Sequence, residues 1–201
     1  MKKRLIITAM TAMVLTTIVI FSGCAGTSAD TVIDNETIVQ ETPQKPVIAP
    51  ITQAEIIGAQ VAWGEGLVAI SNAYASGDDY ATIAQGVLDT LYGYVDGIVL
   101  FKPTLASDVP FRFTEACAAS YFIRGMIGGD VGFALKPWTS VHFADDGMFI
   151  FNGQTALWMG SVFLMDDNGN VTRVEKSKGY YRDANGDIRL QLHHSSVPFG
   201  N

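Results

Sequence analysis

Between residues 51 and 123 apolar side chains return every three or four positions, the spacing of a helix that buries one face. From Gly132 onward they come in short runs separated by turn residues. Thr52 followed by Glu55 has the form of a capping box, and Ile56, Ile57, Val61, Trp63, Leu67, Val68 and Ile70 then keep helical spacing up to an exit at Tyr74 to Gly77. This predicts a first helix. Asp78 or Asp79 can cap a second, in which Tyr80, Ile83, Ala84, Val87, Leu88, Leu91 and Tyr92 recur and which Gly93 and Gly97 close. A third, shorter helix fits Thr114 to Ile123, with Thr114 as its cap and Arg124-Gly125 at its end.

The later runs are punctuated by Asp145-Asp146-Gly147, Asn152-Gly153, Asp167 to Asn170 and Asp183 to Asp187, turn chemistry that predicts successive hairpins. Asp167 to Asn170 also has the look of a calcium loop, but the twelve-residue ligand series with its closing Glu is missing, so a turn is the better reading. Helices first and a meandering sheet afterward predict an α+β domain, its N-terminal helices packed against a curved antiparallel sheet to leave a cone with a pocket inside.

The chain begins with Lys2, Lys3 and Arg4, an apolar stretch from Leu5 to Phe21, then Ser22, Gly23 and Cys24. This is the layout of an export signal over 1–23, and small residues before a cysteine have the form of a bacterial lipobox, with Cys24 as the lipidated mature N-terminus. Acyl chains on Cys24 would hold the protein to a membrane surface, its domain in the periplasm or at the cell surface. An uncleaved anchor helix is the other reading, since Leu5 to Phe21 is near the shortest span of a bilayer core. Residues 24–50 carry Asp30, Asp34, Glu36 and Glu41 against Lys45, with Pro43, Pro46 and Pro50, and read as a flexible acidic tether. The folded domain is then 51–201.

Charge changes the picture by exclusion. The chain has 13 Lys+Arg against 20 Asp+Glu, a net charge of −7 that becomes −10 without the three cations of the signal. A nucleic-acid partner needs clustered cations and is disfavoured. If Cys24 carries lipid, Cys117 has no partner for a disulfide, and its Ala-rich surroundings predict a small buried core thiol.

The best pocket signal is the terminal run Ile188 to Pro198. If Leu190 and Leu192 face the core, strict alternation carries His194 and Ser196 inward and turns Arg189, Gln191, His193 and Ser195 outward. Adjacent His193 and His194 then point to opposite faces, and His142, alternating with Val141 and Phe143, faces solvent. No face collects three histidines, so a zinc centre of that kind is not expected. Trp63, Trp138 and Trp158 read as core aromatics, one of which could line an apolar pocket wall.

The segments GAQVAWGEGLVAIS (58–71), VLFKPTLAS (99–107), GFALKPW (132–138), GQTALWMG (153–160) and LHHSSVP (192–198), taken together and in order, resemble the iota-class carbonic anhydrases. That resemblance implies an NTF2-like cone, akin to a calmodulin-kinase association domain, and reversible hydration of CO2 to bicarbonate and a proton. It implies hydroxyls that hold CO2 or bicarbonate at Thr104, Tyr121 and Ser196, with His194 beside Ser196 as a proton acceptor or orienter. No metal cofactor is expected, zinc or manganese being the alternative, and a homodimer is. The role of Lys102, in the same motif as Thr104, stays open. Other readings on this scaffold are a non-catalytic small-molecule-binding module and an isomerase or dehydratase, the latter weakened by the lack of an obvious inward Asp-His or Tyr-Asp pair.

Overall fold

The computed structural model describes residues 48–106 and 108–200. The signal segment, Cys24 and nearly all of the tether lie outside these residues. The first helix, α1, spans Gln53–Ser76 and forms where the capping box stands: Glu55 N–H donates to Thr52 Oγ1 at 3.3 Å and Thr52 N–H donates to the Glu55 carboxylate at 2.8 Å. It ends at Gly77, whose φ of 77° is the left-handed conformation that terminates a helix without Cβ strain. Asp79 caps α2 (Tyr80–Leu91) and Thr114 caps α3 (Glu115–Ile123), as the sequence predicts.

Six strands follow the chain as β1 (Leu100–Lys102), β2 (Trp138–Phe143), β3 (Met148–Asn152), β4 (Thr155–Asp166), β5 (Val171–Arg182) and β6 (Ile188–Ser196). Their order is β1-β6-β5-β4-β2, with β3 paired to the other end of β4. Two features depart from a simple antiparallel meander. Short β1 runs parallel to β6, which makes the sheet mixed. The turn at Asp145–Gly147 does not close a hairpin, because β2 pairs with Phe163 and its neighbours whereas β3 pairs with 155–159; both strands use one long partner. The other three turns do join paired strands.

The helices cover the inner face of the sheet. Trp63, Leu67 and Ile70 of α1 are buried with Trp158, Val162, Leu164, Val174, Tyr180 and Leu190 of the strands. At Gly64 the helix comes so near β2 that a Cβ would sit 3.1 Å from Val141 Cβ, so α1 reaches its seat through a missing side chain. Cys117 is half-buried rather than a core thiol, since α3 buries the face carrying Ala118, Tyr121 and Phe122 and leaves residue 117 at its edge. All three tryptophans are core.

Candidate active site

The facing of β6 turns on one extra residue. Leu190 pairs with Tyr180 and Leu192 with Gly179, so Gln191 has no partner and forms a β-bulge. Leu190 faces the core, but past the bulge the alternation restarts: Leu192 lies on the outer face above Gly179, His193 and Ser195 point inward, and His194 and Ser196 point outward. His193 and Ser195 are each 1% exposed. The inward placement of His194 and Ser196 expected from strict alternation is therefore corrected. The error lay in assigning both Leu190 and Leu192 to the core.

The same register settles Lys102. It pairs with His194 on the outer side of β6, its Nζ donating to the Ser195 carbonyl at 3.2 Å, while Phe101 one position earlier points inward and stacks on His193 at 4.9 Å. Pro103 ends β1, and the turn after it brings Thr104 back inward, where its Oγ1 donates to Ser195 Oγ at 2.6 Å. Tyr121 approaches from α3. Its ring stacks on Phe133 at 5.4 Å and meets Phe101 edge-on at 5.9 Å. Its buried Oη lies near Thr104 and the Leu105 backbone but closes no hydrogen bond of proper geometry with either. Burial pushes this phenol well up, so it stays protonated and can only be a donor to an anion.

Thr104, Tyr121 and Ser195 thus converge on a cavity of about 10 Å³ walled by Trp63, Phe101, Phe122 and Phe133, about the space of one water molecule. A far larger cleft of about 730 Å³ runs between α1 and β2–β3, past Glu65, Thr139 and the exposed His142. Its lining includes buried Gln60, but Thr139 and Ser140 there are exposed, and it does not gather the buried hydroxyls that meet at the small cavity.

Behind the hydroxyls runs a buried polar chain. Trp63 Nε1–H donates to Tyr92 Oη at 3.0 Å, Tyr92 Oη lies 2.8 Å from His193 Nδ1, and His193 Nε2 lies 3.1 Å from Lys176 Nζ. Lys176 Nζ also donates to Ser195 Oγ at 3.1 Å. Lys178, two residues along β5 and on the same face, sets its Nζ 4.4 Å from the Trp63 ring centre, and Lys176 sets its own 4.6 Å from it. Burial pushes Lys176 down to about 7 and Lys178 far below the ordinary lysine range, and it holds His193 neutral. Sequence reasoning missed Lys176, Lys178, His193 and Ser195. The signal for the lysines is their two-residue spacing with Val174 and Tyr180, which places them on the buried face of β5.

The family description "metal-independent carbonic anhydrase" matches residues 54–197. The chain belongs to that family. It is 40% identical over 188 residues to a metal-independent carbonic anhydrase of Nostoc sp., covering 90% of this chain and 91% of the relative. Among solved structures it is similar to the cyanobacterial iota-carbonic anhydrase complexed with bicarbonate, at a TM-score of 0.73 and 39% identity over 79% of this chain and 99% of that one. A putative calcium/calmodulin-dependent protein kinase II association domain from Xanthomonas campestris shares the fold at a TM-score of 0.50 and 19% identity, covering 75% of this chain and 91% of that one. The architecture is the NTF2-like α+β cone that the sequence resemblance implies. The family's description agrees with the expectation of no metal cofactor, and among the described residues no group of three His, Cys, Asp or Glu is placed to hold an ion.

Proposed function

We propose that this chain catalyses reversible hydration of CO2 to bicarbonate and a proton in the small aromatic-walled cavity, with Thr104, Tyr121 and Ser195 binding the oxygens of the substrate. The observation that carries this reading is the convergence of three hydroxyls on one cavity, two of them hydrogen-bonded to each other and the third buried without a partner. Ser195 Oγ accepts from both Thr104 and Lys176, which leaves its own O–H free to donate. Tyr121 Oη–H is free in the same way. As water attacks CO2, negative charge grows on the CO2 oxygens, and donors already fixed in a partly dry pocket stabilise it with little reorganisation. The rings of Trp63, Phe101, Phe122 and Phe133 suit apolar CO2 and keep out bulk water.

His194 and Ser196, expected to share this work, stand on the other face of β6; Ser195 takes the place of Ser196 in the proposal, with His193 beside it on the inner face. The test is stopped-flow CO2 hydration by the full-length chain before and after exhaustive chelation. Activity that survives chelation supports the reading. Activity lost with chelator and restored by stoichiometric zinc or manganese overturns its metal-free part, and a chain inactive under both conditions leaves a small-molecule-binding module as the better account.

The proposal extends to location and assembly. The lipobox-like Ser22-Gly23-Cys24 after an apolar segment supports an exported protein anchored through acylated Cys24. Cys24→Ser should then shift the chain from the detergent phase to the aqueous phase on partitioning; an unchanged distribution speaks against the anchor. A homodimer is supported by the outer face of the sheet, where the paired Met148–Met159 and Ile150–Leu157 form an exposed apolar stripe.

A further inference from the structure

The buried chain behind Ser195 fixes where its protons are. Tyr92 Oη has two polar neighbours in hydrogen-bond range, Trp63 Nε1 and His193 Nδ1. The indole nitrogen is only a donor, so the hydroxyl hydrogen of Tyr92 has one acceptor, His193 Nδ1. Burial raises the Tyr92 phenol well above its ordinary value, and the hydroxyl keeps that hydrogen. With Nδ1 accepting, neutral His193 carries its proton on Nε2, and Nε2–H points at Lys176 Nζ, 3.1 Å away. An ammonium has no lone pair to receive it; a neutral amine has.

Burial leads to the same state. Lys176 is 3% exposed and Lys178 1% exposed, both over the Trp63 ring, and among the described residues no carboxylate forms an ion pair with either. The titratable groups facing Lys176 are Lys178 on its own strand, His193 on β6, Tyr92 after α2 and Tyr121 on α3, with Lys102 of β1 and His194 of β6 on the outer side. None of these supplies a negative charge at neutral pH, and two ammonium groups here would repel each other.

We propose that Lys176 is held as a neutral amine and is the proton acceptor of the hydration reaction, a catalytic residue beside the hydroxyls. The role rests on the proposed hydration at this cavity, whose wall Lys176 forms together with Ser195 and Thr104. In the step, the water oxygen forms a bond to the CO2 carbon and one C=O π pair moves onto its oxygen. Lys176 Nζ turns its lone pair from His193 Nε2–H to the water and takes a water proton, leaving bicarbonate and an ammonium. The ammonium then gives its proton to solvent or buffer. A lysine that falls to about 7 is matched to this cycle, accepting a proton readily and releasing it at neutral pH.

Two measurements on the full-length chain test this. In a [15N]lysine-labelled sample the Lys176 Nζ signal, assigned by its loss in Lys176→Met, should titrate as an amine near pH 7; a signal that stays that of an ammonium from pH 6 to 9 overturns the proposal. In stopped-flow assays kcat for hydration should rise through the same pH. Lys176→Met should lose about 100-fold or more in kcat with KM for CO2 little changed, and the rise should vanish. Lys176→Arg should be equally poor, since a guanidinium stays charged; rescue by Arg would show that a cation, not an acceptor, is needed and would overturn the role. If Lys176→Met does not fold, Lys176→Gln and the titration of the unaltered chain decide. An active Lys176→Met with an unchanged pH profile removes the acceptor and leaves the proposed function standing, whereas an inactive unaltered chain removes both.

Discussion

Ser195 accepts hydrogen bonds from Thr104 and Lys176 inside the cone, and one position on, Ser196 stands opposite Glu175 on the outer face of the sheet. Removing one preorganised donor from an oxyanion-type site typically costs roughly 2.7 to 4 kcal/mol, or about 100-fold to 1000-fold in rate. Ser195→Ala should therefore lower turnover by about that factor, while Ser196→Ala and His194→Ala should lie within about threefold of the unaltered chain, as read by steady-state CO2 hydration with circular dichroism as the folding control. The reverse order would place the substrate on the outer face. Tyr121→Phe separates catalysis from stability. Its Oη is buried without a bond, so deleting it should leave the thermal midpoint unchanged or slightly raised while turnover falls by a comparable factor.

Strand β6 carries a bulge between Leu190 and Leu192. Gln191 adds a residue with no partner, its side chain donating only a long 3.4 Å bond to the Tyr180 carbonyl. Without it, the pairs Leu190–Tyr180 and Leu192–Gly179 become consecutive, and His193 and Ser195 keep their inward facing. Deleting Gln191 should consequently retain activity within about tenfold, equivalent to roughly 1.4 kcal/mol of barrier. An assay showing complete loss in a folded deletion variant would mean that the bend at the bulge, and not only the facing beyond it, sets the site. Helix α1 contributes in another way: by bringing Trp63 over the two lysines it replaces their water with an aromatic face, at a position fixed by the close approach of Gly64 to Val141.

For the molecule as a whole, the buried bases decide how stability responds to pH. Lys176 falls from 10.5 unfolded to about 7 folded, so between those values the unfolded chain binds the extra proton and stability rises with pH by up to roughly 1.4 kcal/mol per unit. Lys178 acts in the same direction below 10.5, and neutral His193 makes stability fall as pH drops below 6.5. The buried phenols of Tyr92, Tyr121 and Tyr180 are raised above 10 and act oppositely, favouring unfolding once pH passes their unfolded value. The thermal midpoint should thus climb from pH 6 to about 9 and decline above 10, and Lys176→Met should flatten the climb between 7 and 9. A maximum at pH 6 would show that the lysines are charged in the fold. The outer apolar stripe leads to a separate expectation: sedimentation should find dimers at micromolar concentration, and Met159→Lys with Leu157→Lys should dissociate them; a monomer throughout would refute the dimer.

The three helices, their caps, three of the four hairpin turns and the α+β class were legible in the residue pattern, because capping, turn chemistry and helical periodicity are local and act within a few residues. Thr104 and Tyr121 were reachable only through resemblance to a family, since nothing local marks a threonine after a proline or a tyrosine on a helix as lining a cavity. What only the tertiary structure decided is which residues of β6 and β5 enter the cavity. A bulge is registered against the partner strand, and Leu190-Gln191-Leu192 reads by itself as plain alternation; it takes Gly179 and Tyr180 across the ladder to show that Gln191 is the extra residue. The neutral state of Lys176 is likewise invisible in a sequence, where a lysine is a surface cation by default. It follows from Trp63, Tyr92 and His193, three residues far apart in the chain that meet only when helices and sheet close around one amine.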